Sequence, residues 1–407
     1  MSDAPQLTRR ALVGGAVAAT GAATAVTVIG APPAPAGAPE ILKPLPPRRF
    51  VDFGTNAEMR WSSVDPTRYL TAQRDLFVRN HTATPRIDRA DYELRVFGDG
   101  LERPRTRGRG VRLTLRDLQA MPTTTVTTVH ECTGNGRSFF ETQQGQDVSG
   151  TSWTLGAVGA VRWEGVRLAT VLRRIGLADG VRRGGTVMAT GLDDPYESDG
   201  VDYGRVRRPF PVSKALDDAL LVWGANGHPL LPDHGYPLRL VLPGWVGIAS
   251  IKWLGSLEVS RGRLTSPWNT TFYRMTGGDY PEGSPALTVN PVRSAWELPW
   301  GAALDAGRDV TLTGRSWSGA APIRSVAVSL DGGDTWRSAR LRPDRRDPWK
   351  RGGWTRWSVR WPRPRAGERV LLARATDALG RRQPDVTPYN DSGYFFDAVV
   401  RHPVTVA

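Results

Sequence analysis

A single thiol, Cys132, stands in this chain of 407 residues. It lies in the run His130-Glu131-Cys132-Thr133-Gly134-Asn135-Gly136-Arg137, directly after a β-like stretch. An unpaired thiol can form an intermolecular bond, react as a thiolate or ligate a metal. It can also be a buried small hydrophobe, but the Gly, Asn and Arg that follow it are turn-forming and polar and do not continue a core strand. Two more segments carry polar density in apolar surroundings. One is Phe77-Val78-Arg79-Asn80-His81, and the other runs from His234 through Arg239 to Lys252. Guanidinium groups grip two oxygens at once, and imidazoles donate from a ring nitrogen, so both segments suit an anion. Singly they are weak: a lone histidine is usually structural, and Arg239 in an alternating strand could face solvent.

The elements that would position these groups fall into three stretches. Residues 1–40 read as a targeting segment and linker. Arg9-Arg10 precedes a weakly apolar run of Ala, Gly, Val and Thr, and small-residue sites follow at Ala34-Pro35-Ala36 and Ala36-Gly37-Ala38. This pattern is a twin-arginine export signal with a cleavage site. An uncleaved anchor is the alternative, since the run is long enough to span a bilayer. Residues 41–265 mix helix and strand signals. Leu168, Val171, Leu172 and Ile175 share one helical face, with Gly176 as the stop. Thr114 with Asp117 opens a short helix. Pro237 to Leu242 alternates as a strand, and Ser250 to Leu254 reads as another. Residues 266–407 form the last stretch, in which the pattern turns to strands alone from about residue 290. Val310-Thr311-Leu312, Ser325 to Leu330, Trp354 to Trp361 and Arg369 to Ala375 have Gly/Asp turns and scattered Trp between them, the pattern of an immunoglobulin-like sandwich.

The formal charge is +14. Nearly all the basic residues are arginines scattered among acidic ones, with no recognised nucleic-acid motif, so a nucleic-acid partner is excluded. The excess positive charge favours small anions or an acidic protein partner.

In combination, and in order along residues 50–405, these segments resemble the sulfite oxidase family of molybdopterin-dependent oxidoreductases. Phe77 to His81 is similar to that family's pterin-binding run. Cys132-x-Gly-Asn-x-Arg137 is similar to the loop that supplies a thiolate to molybdenum. Asp233 to Arg239 and Gly247 to Leu254 resemble a further pterin-binding stretch. The resemblance implies an α+β molybdopterin-binding domain followed by an all-β immunoglobulin-like dimerisation domain. It implies molybdenum and molybdopterin as cofactors and Cys132 as metal ligand. Phe77, Val78, Arg79, Asn80, His81, Asp193, His234, Arg239, Ser250, Ile251 and Lys252 would hold the pterin and its phosphate. Arg79, Arg137, Trp153 and Tyr273 would form the anion pocket where the reaction occurs.

Two departures from the family pattern bear on function. Ser392, in Tyr389-Asn390-Asp391-Ser392-Gly393, stands where the family's sulfite oxidases carry another pocket arginine. Neither a cytochrome b5 module nor a Cys-x-x-Cys-His haem motif is present, so an external electron acceptor is expected, by resemblance a c-type cytochrome. The expected protein is an exported, dimeric enzyme transferring oxygen to sulfite or a related small sulfur oxoanion. The alternatives are nitrate, a sulfoxide or an organic sulfur compound as substrate, or a cell-surface binding protein with a vestigial site.

Overall fold

The computed structural model describes residues 40–342 and 353–407. The twin-arginine segment expected at residues 1–40 lies almost wholly outside them. Among the described residues, no helix is long and apolar enough to cross a membrane.

The first part of the chain is built on two main sheets. One has five strands in the order Arg207–Pro211, Thr186–Gly191, Leu254–Ser260, Glu93–Phe97 and Val111–Thr114. The other joins His228–Pro229, Leu220–Ala225, Val158–Arg167 and Thr123–Glu131, with Arg239–Val241 also paired to Leu220–Ala225. Short helices pack between and beside them. Thr114 accepts from the Asp117 backbone and the Asp117 carboxylate accepts in return, so the expected cap forms at helix Leu115–Gln119. Helix Leu168–Ile175 buries Leu168, Val171 and Leu172 against the core and stops at Gly176, as its spacing predicts. A small sheet of Phe50–Asp52, Asn56–Met59 and Val78–Arg79 lies beside the second main sheet.

The expected strand at 250–254 is absent. Gly247–Ala249 is a 3₁₀ turn, Ser250 to Trp253 is irregular, and the strand begins only at Leu254. Ser250, Ile251 and Lys252 line a cavity, and the Leu240 and Leu192 N–H groups donate singly to the Ile251 and Trp253 carbonyls without forming a ladder.

From Arg293 onward the chain makes two facing sheets. Arg293–Trp296, Val310–Trp317, Thr355–Trp361 and Arg340–Arg342 form one; Ala302–Leu304, His402–Val406, Gly367–Asp377, Ile323–Ser329 and Arg337–Ser338 form the other. Trp296, Leu312, Val326, Val328, Trp357, Leu371 and Val404 share the apolar core between them. This is a β-sandwich, and its alternating strands are what the sequence pattern predicts. The segment between Ser266 and Pro291 contains no strand. It carries helix Pro267–Thr270, and Trp268, Phe272 and Tyr273 pack with Tyr196 and Tyr203 of the first part rather than with the sandwich core.

Candidate functional site

Cys132 lies just past the end of strand Thr123–Glu131, and its N–H donates to the Ala157 carbonyl at 2.9 Å. Strand pairing with Val158–Arg167 therefore fixes where the thiol starts. The loop that follows is tied down by its own side chains. Asn135 Nδ2 donates to Glu131 Oε1 at 2.9 Å, and Asn135 Oδ1 accepts the Ala157 N–H at 3.1 Å. Burial pushes the Cys132 thiol pKa up, while Arg79, the Gly134 N–H and Arg137 pull it down. The arginines therefore favour the thiolate that a metal would require.

On one side of Cys132 is a cavity. Phe77, Arg79, Asn80, His81, Asp193, His234, Arg239, Ser250, Ile251, Lys252 and Tyr273 line it together with Cys132. Segments separated by more than a hundred positions are thus brought to one place. Val78 does not join them. It sits in strand Val78–Arg79 with its side chain packed beside Phe50, Ala57 and Met59, because alternate residues of a strand face opposite ways. The expectation that Val78 lines the cofactor cavity is corrected accordingly.

The cavity is rich in buried cationic groups. Arg239 is 2% exposed and donates to the His234 carbonyl, the Ser250 carbonyl and His130 Nε2, with its Nε unpartnered. Lys252 donates to Asn80 Oδ1 and, at 2.8 Å, to the Asp233 carbonyl. Burial pulls the Arg239 pKa down to about 9 and drives Lys252 well below its ordinary value, with Arg239 adding to the effect on Lys252. His81, His130 and His234 are likewise lowered by burial first, then by neighbouring cations, and are neutral at pH 7. The two carboxylates here are weak counterweights. Burial raises Asp193 to about 6, and Asp233 is occupied by the Leu42 and Lys43 N–H groups and the Thr84 hydroxyl. Buried charge without an opposite charge is costly, so an anionic group such as a phosphate answers a need the protein leaves open. The buried Thr133 hydroxyl, also unpartnered, offers a further donor. The residues present fit a phosphate-bearing group held to the protein through sulfur.

A second cavity adjoins the first at Arg79, Asn80, His81, Cys132 and Tyr273. Arg137, Trp153 and Ser392 also line it. Arg137 donates from Nε to the Ser392 carbonyl at 2.7 Å and from Nη1 to the Thr151 carbonyl at 2.8 Å. Its guanidinium lies between Gly134 and Gly150, where a Cβ would come within 2.7 Å and 2.8 Å of it, respectively. Burial lifts the Tyr273 pKa far above the usual phenol range, so its O–H is kept.

Several residues at the site were given no role of their own from the sequence. His130, Thr133, Asp233 and Trp253 line the first cavity, and Tyr196, Phe272 and Tyr394 the second. Glu131 and Arg293 lie beneath the Cys132 loop as an ion pair of 3.3 Å, both nearly inaccessible. Arg293 also donates to the Asn135 carbonyl, and Trp317 donates to Glu131 Oε2 at 2.9 Å. A charged residue ending a strand of Val and Thr was the available signal for Glu131. Arg293 gave none.

Residues 81–268 match the oxidoreductase molybdopterin binding domain, and residues 291–406 match the Mo-co oxidoreductase dimerisation domain. The sulfite oxidase of Gallus gallus is 34% identical over 358 residues, 83% of this chain and 74% of that protein. The mitochondrial sulfite oxidase of Homo sapiens is 36% identical over 334 residues, 78% of this chain but only 58% of the human protein. Among solved structures, the sulfane dehydrogenase SoxCD of Paracoccus pantotrophus superposes with a TM-score of 0.69 at 26% identity, covering 84% of this chain and 82% of that one. With its thiol set between a cation-rich cavity and an arginine pocket, and with these matches along both halves, the chain belongs to the sulfite oxidase family and is a molybdopterin-dependent oxidoreductase.

Proposed function

We propose that this protein is exported by the twin-arginine route and oxidises sulfite, or a related small sulfur oxoanion, by oxygen-atom transfer. The observation that carries the reading is the position of Cys132, the chain's one thiol, at the junction of the two cavities. Cys132 would ligate molybdenum, and a soft thiolate suits a metal also held by pterin sulfurs. Arg239, Lys252, His234 and the Ser250 to Lys252 backbone would hold the pterin and its phosphate, with Phe77, Asn80, His81 and Asp193 completing the cradle. When bound, the molybdenum centre supplies the oxygen-atom transfer and accepts two electrons.

The chain's own residues bind and orient the substrate. Arg79 and Arg137 hold the anion and balance its charge. Tyr273, protonated at neutral pH, donates to an oxygen and relays protons to solvent. Trp153, 2% exposed, walls the pocket and keeps water out. The sandwich, which we read as immunoglobulin-like, would mediate a homodimer, supported by the match to a dimerisation domain. An external acceptor, by the family resemblance a c-type cytochrome, would take the electrons, and the excess positive charge would steer an acidic one to the surface. A binding protein with a vestigial site would have no use for buried cations awaiting an anion.

The test is sulfite-dependent reduction of ferricyanide by cofactor-loaded protein with its molybdenum measured. Turnover in the wild type, lost in Cys132→Ser along with the metal, is the expected result. Full activity in Cys132→Ser, or wild-type protein that matures without molybdenum, would overturn the reading.

A further inference from the structure

We infer that the second cavity is shaped for an organic sulfinate, a monoanion R–SO₂⁻ with an apolar R group, which the protein oxidises to the sulfonate. This rests on the oxygen-transfer reading above and names the substrate class of that site. The first observation is charge. Among the described lining residues, Arg79 and Arg137 are the permanent cations, and no carboxylate faces the cavity. Both guanidinium groups already serve carbonyls: Arg79 that of Asn80, and Arg137 those of Ser392 and Thr151. The neighbouring His81 is neutral by burial. Bonds to neutral carbonyls leave both charges in place, so the cavity favours an anionic group.

The second observation is the remaining wall. Trp153, Tyr196, Phe272, Tyr273 and Tyr394 line it. Tyr394 stacks on Tyr273 with ring centres 5.3 Å apart and also covers the Arg137 guanidinium at 5.4 Å. A bare oxoanion leaves this aromatic face of the wall without an apolar partner. A carbon substituent would cover it.

The chemistry is conservative. A sulfinate is sulfite with one oxygen replaced by carbon, and its sulfur keeps the lone pair that sulfite uses. The net reaction is R–SO₂⁻ + H₂O → R–SO₃⁻ + 2 H⁺ + 2 e⁻. One S–O bond forms, and the oxygen comes from water. Both O–H bonds of that water break, with the protons passing to solvent. The sulfur loses two electrons to two equivalents of a one-electron acceptor, ferricyanide in the assay.

The experiment compares sulfite, methanesulfinate and benzenesulfinate on molybdenum-loaded protein, with the sulfonate identified by mass spectrometry in ¹⁸O-water. The expected kcat/KM for benzenesulfinate exceeds that for methanesulfinate by about tenfold and is at least that for sulfite. Phe272→Ala lowers the benzenesulfinate value by about tenfold more than it lowers the sulfite value. Phe272→Leu, which keeps the bulk, loses less. Sulfite turnover without sulfinate turnover, or equal losses on both in the Phe272 variants, overturns the inference and leaves the oxygen-transfer reading standing. No turnover of any of the three by metal-loaded protein overturns both.

Discussion

At the residue scale the site depends on groups that do no chemistry themselves. Arg137 holds its position because Gly134 and Gly150 lack side chains on either side of it. Gly150 also has φ of 105°, which a side chain resists. Gly150→Ala is therefore expected to displace the guanidinium and raise KM for an anionic substrate by about tenfold with a smaller change in kcat. Steady-state kinetics beside a thermal melt checks this. Glu58 makes a different kind of support. Its carboxyl accepts from the Thr154 N–H, the Thr154 hydroxyl and the Gly156 N–H, and it is 1% exposed. Burial raises its pKa from 4.5 to about 7 against those hydrogen bonds. Folding therefore takes up a proton between pH 4.5 and 7. Stability falls as pH rises through that window, by about 3 kcal/mol at full ionisation. Glu58→Gln should remove this part of the slope, as read from urea midpoints at pH 5 and pH 8.

At the element scale, what was legible in the sequence followed local rules. The capped helix at Leu115 and the helix ending at Gly176 have periodicity and caps that need no distant partner. The sandwich strands Val310–Trp317 and Ile323–Ser329 alternate cleanly for the same reason. The stretch from Ser250 to Trp253 reads as a strand because its residue types favour one, yet its backbone is held open around the cavity. Nothing local marks that choice. The segment after Ser266 was also opaque, since its anchor is remote. Arg208, 1% exposed, donates from Nη1 to the Trp268 carbonyl and from Nη2 to the Leu287 carbonyl. Leu287 N–H in turn donates to the Tyr273 carbonyl at 2.8 Å, and Trp268 Nε1 donates to His81 Nε2 at 3.1 Å. Arg208 thus braces the element carrying Tyr273 at both ends. Arg208→Met keeps the stem and loses both donors. It should cost about 3 kcal/mol of stability and lower kcat about tenfold, with less effect on KM. A Lys replacement, which restores one donor, should recover part of kcat.

At the scale of the whole molecule, sulfite oxidase-type segments far apart in the sequence could be recognised as a set, and the structure gathers nearly all of them around Cys132. The contact between the two halves was not legible, because a buried ion pair has no sequence pattern. The sandwich reaches the thiol loop through Arg293 and Trp317, which meet Glu131. Removing one member of such a pair strands a buried charge and costs about 3–5 kcal/mol. Glu131→Gln is therefore expected to lower stability by that order and to loosen the Cys132 loop, so that molybdenum content falls on dialysis. Arg293→Met alone should do the same. The double variant should be more stable than either single one, and melting with metal analysis reads both effects.

The Cys132 loop also meets a segment more than 250 positions later: the Phe395 N–H donates to the Thr133 carbonyl at 3.0 Å, and the Ser392 carbonyl fastens Arg137, 255 positions away. A ribosome making this protein delivers Arg137 of the thiol loop 255 residues before its partner Ser392. The first half can fold as it emerges, but the cradle stays unfinished until residues 392–395 have emerged. Loading of the cofactor is thus expected to wait for residues 392–395, and a product cut short before them would lose the ties to the Thr133 carbonyl and to Arg137.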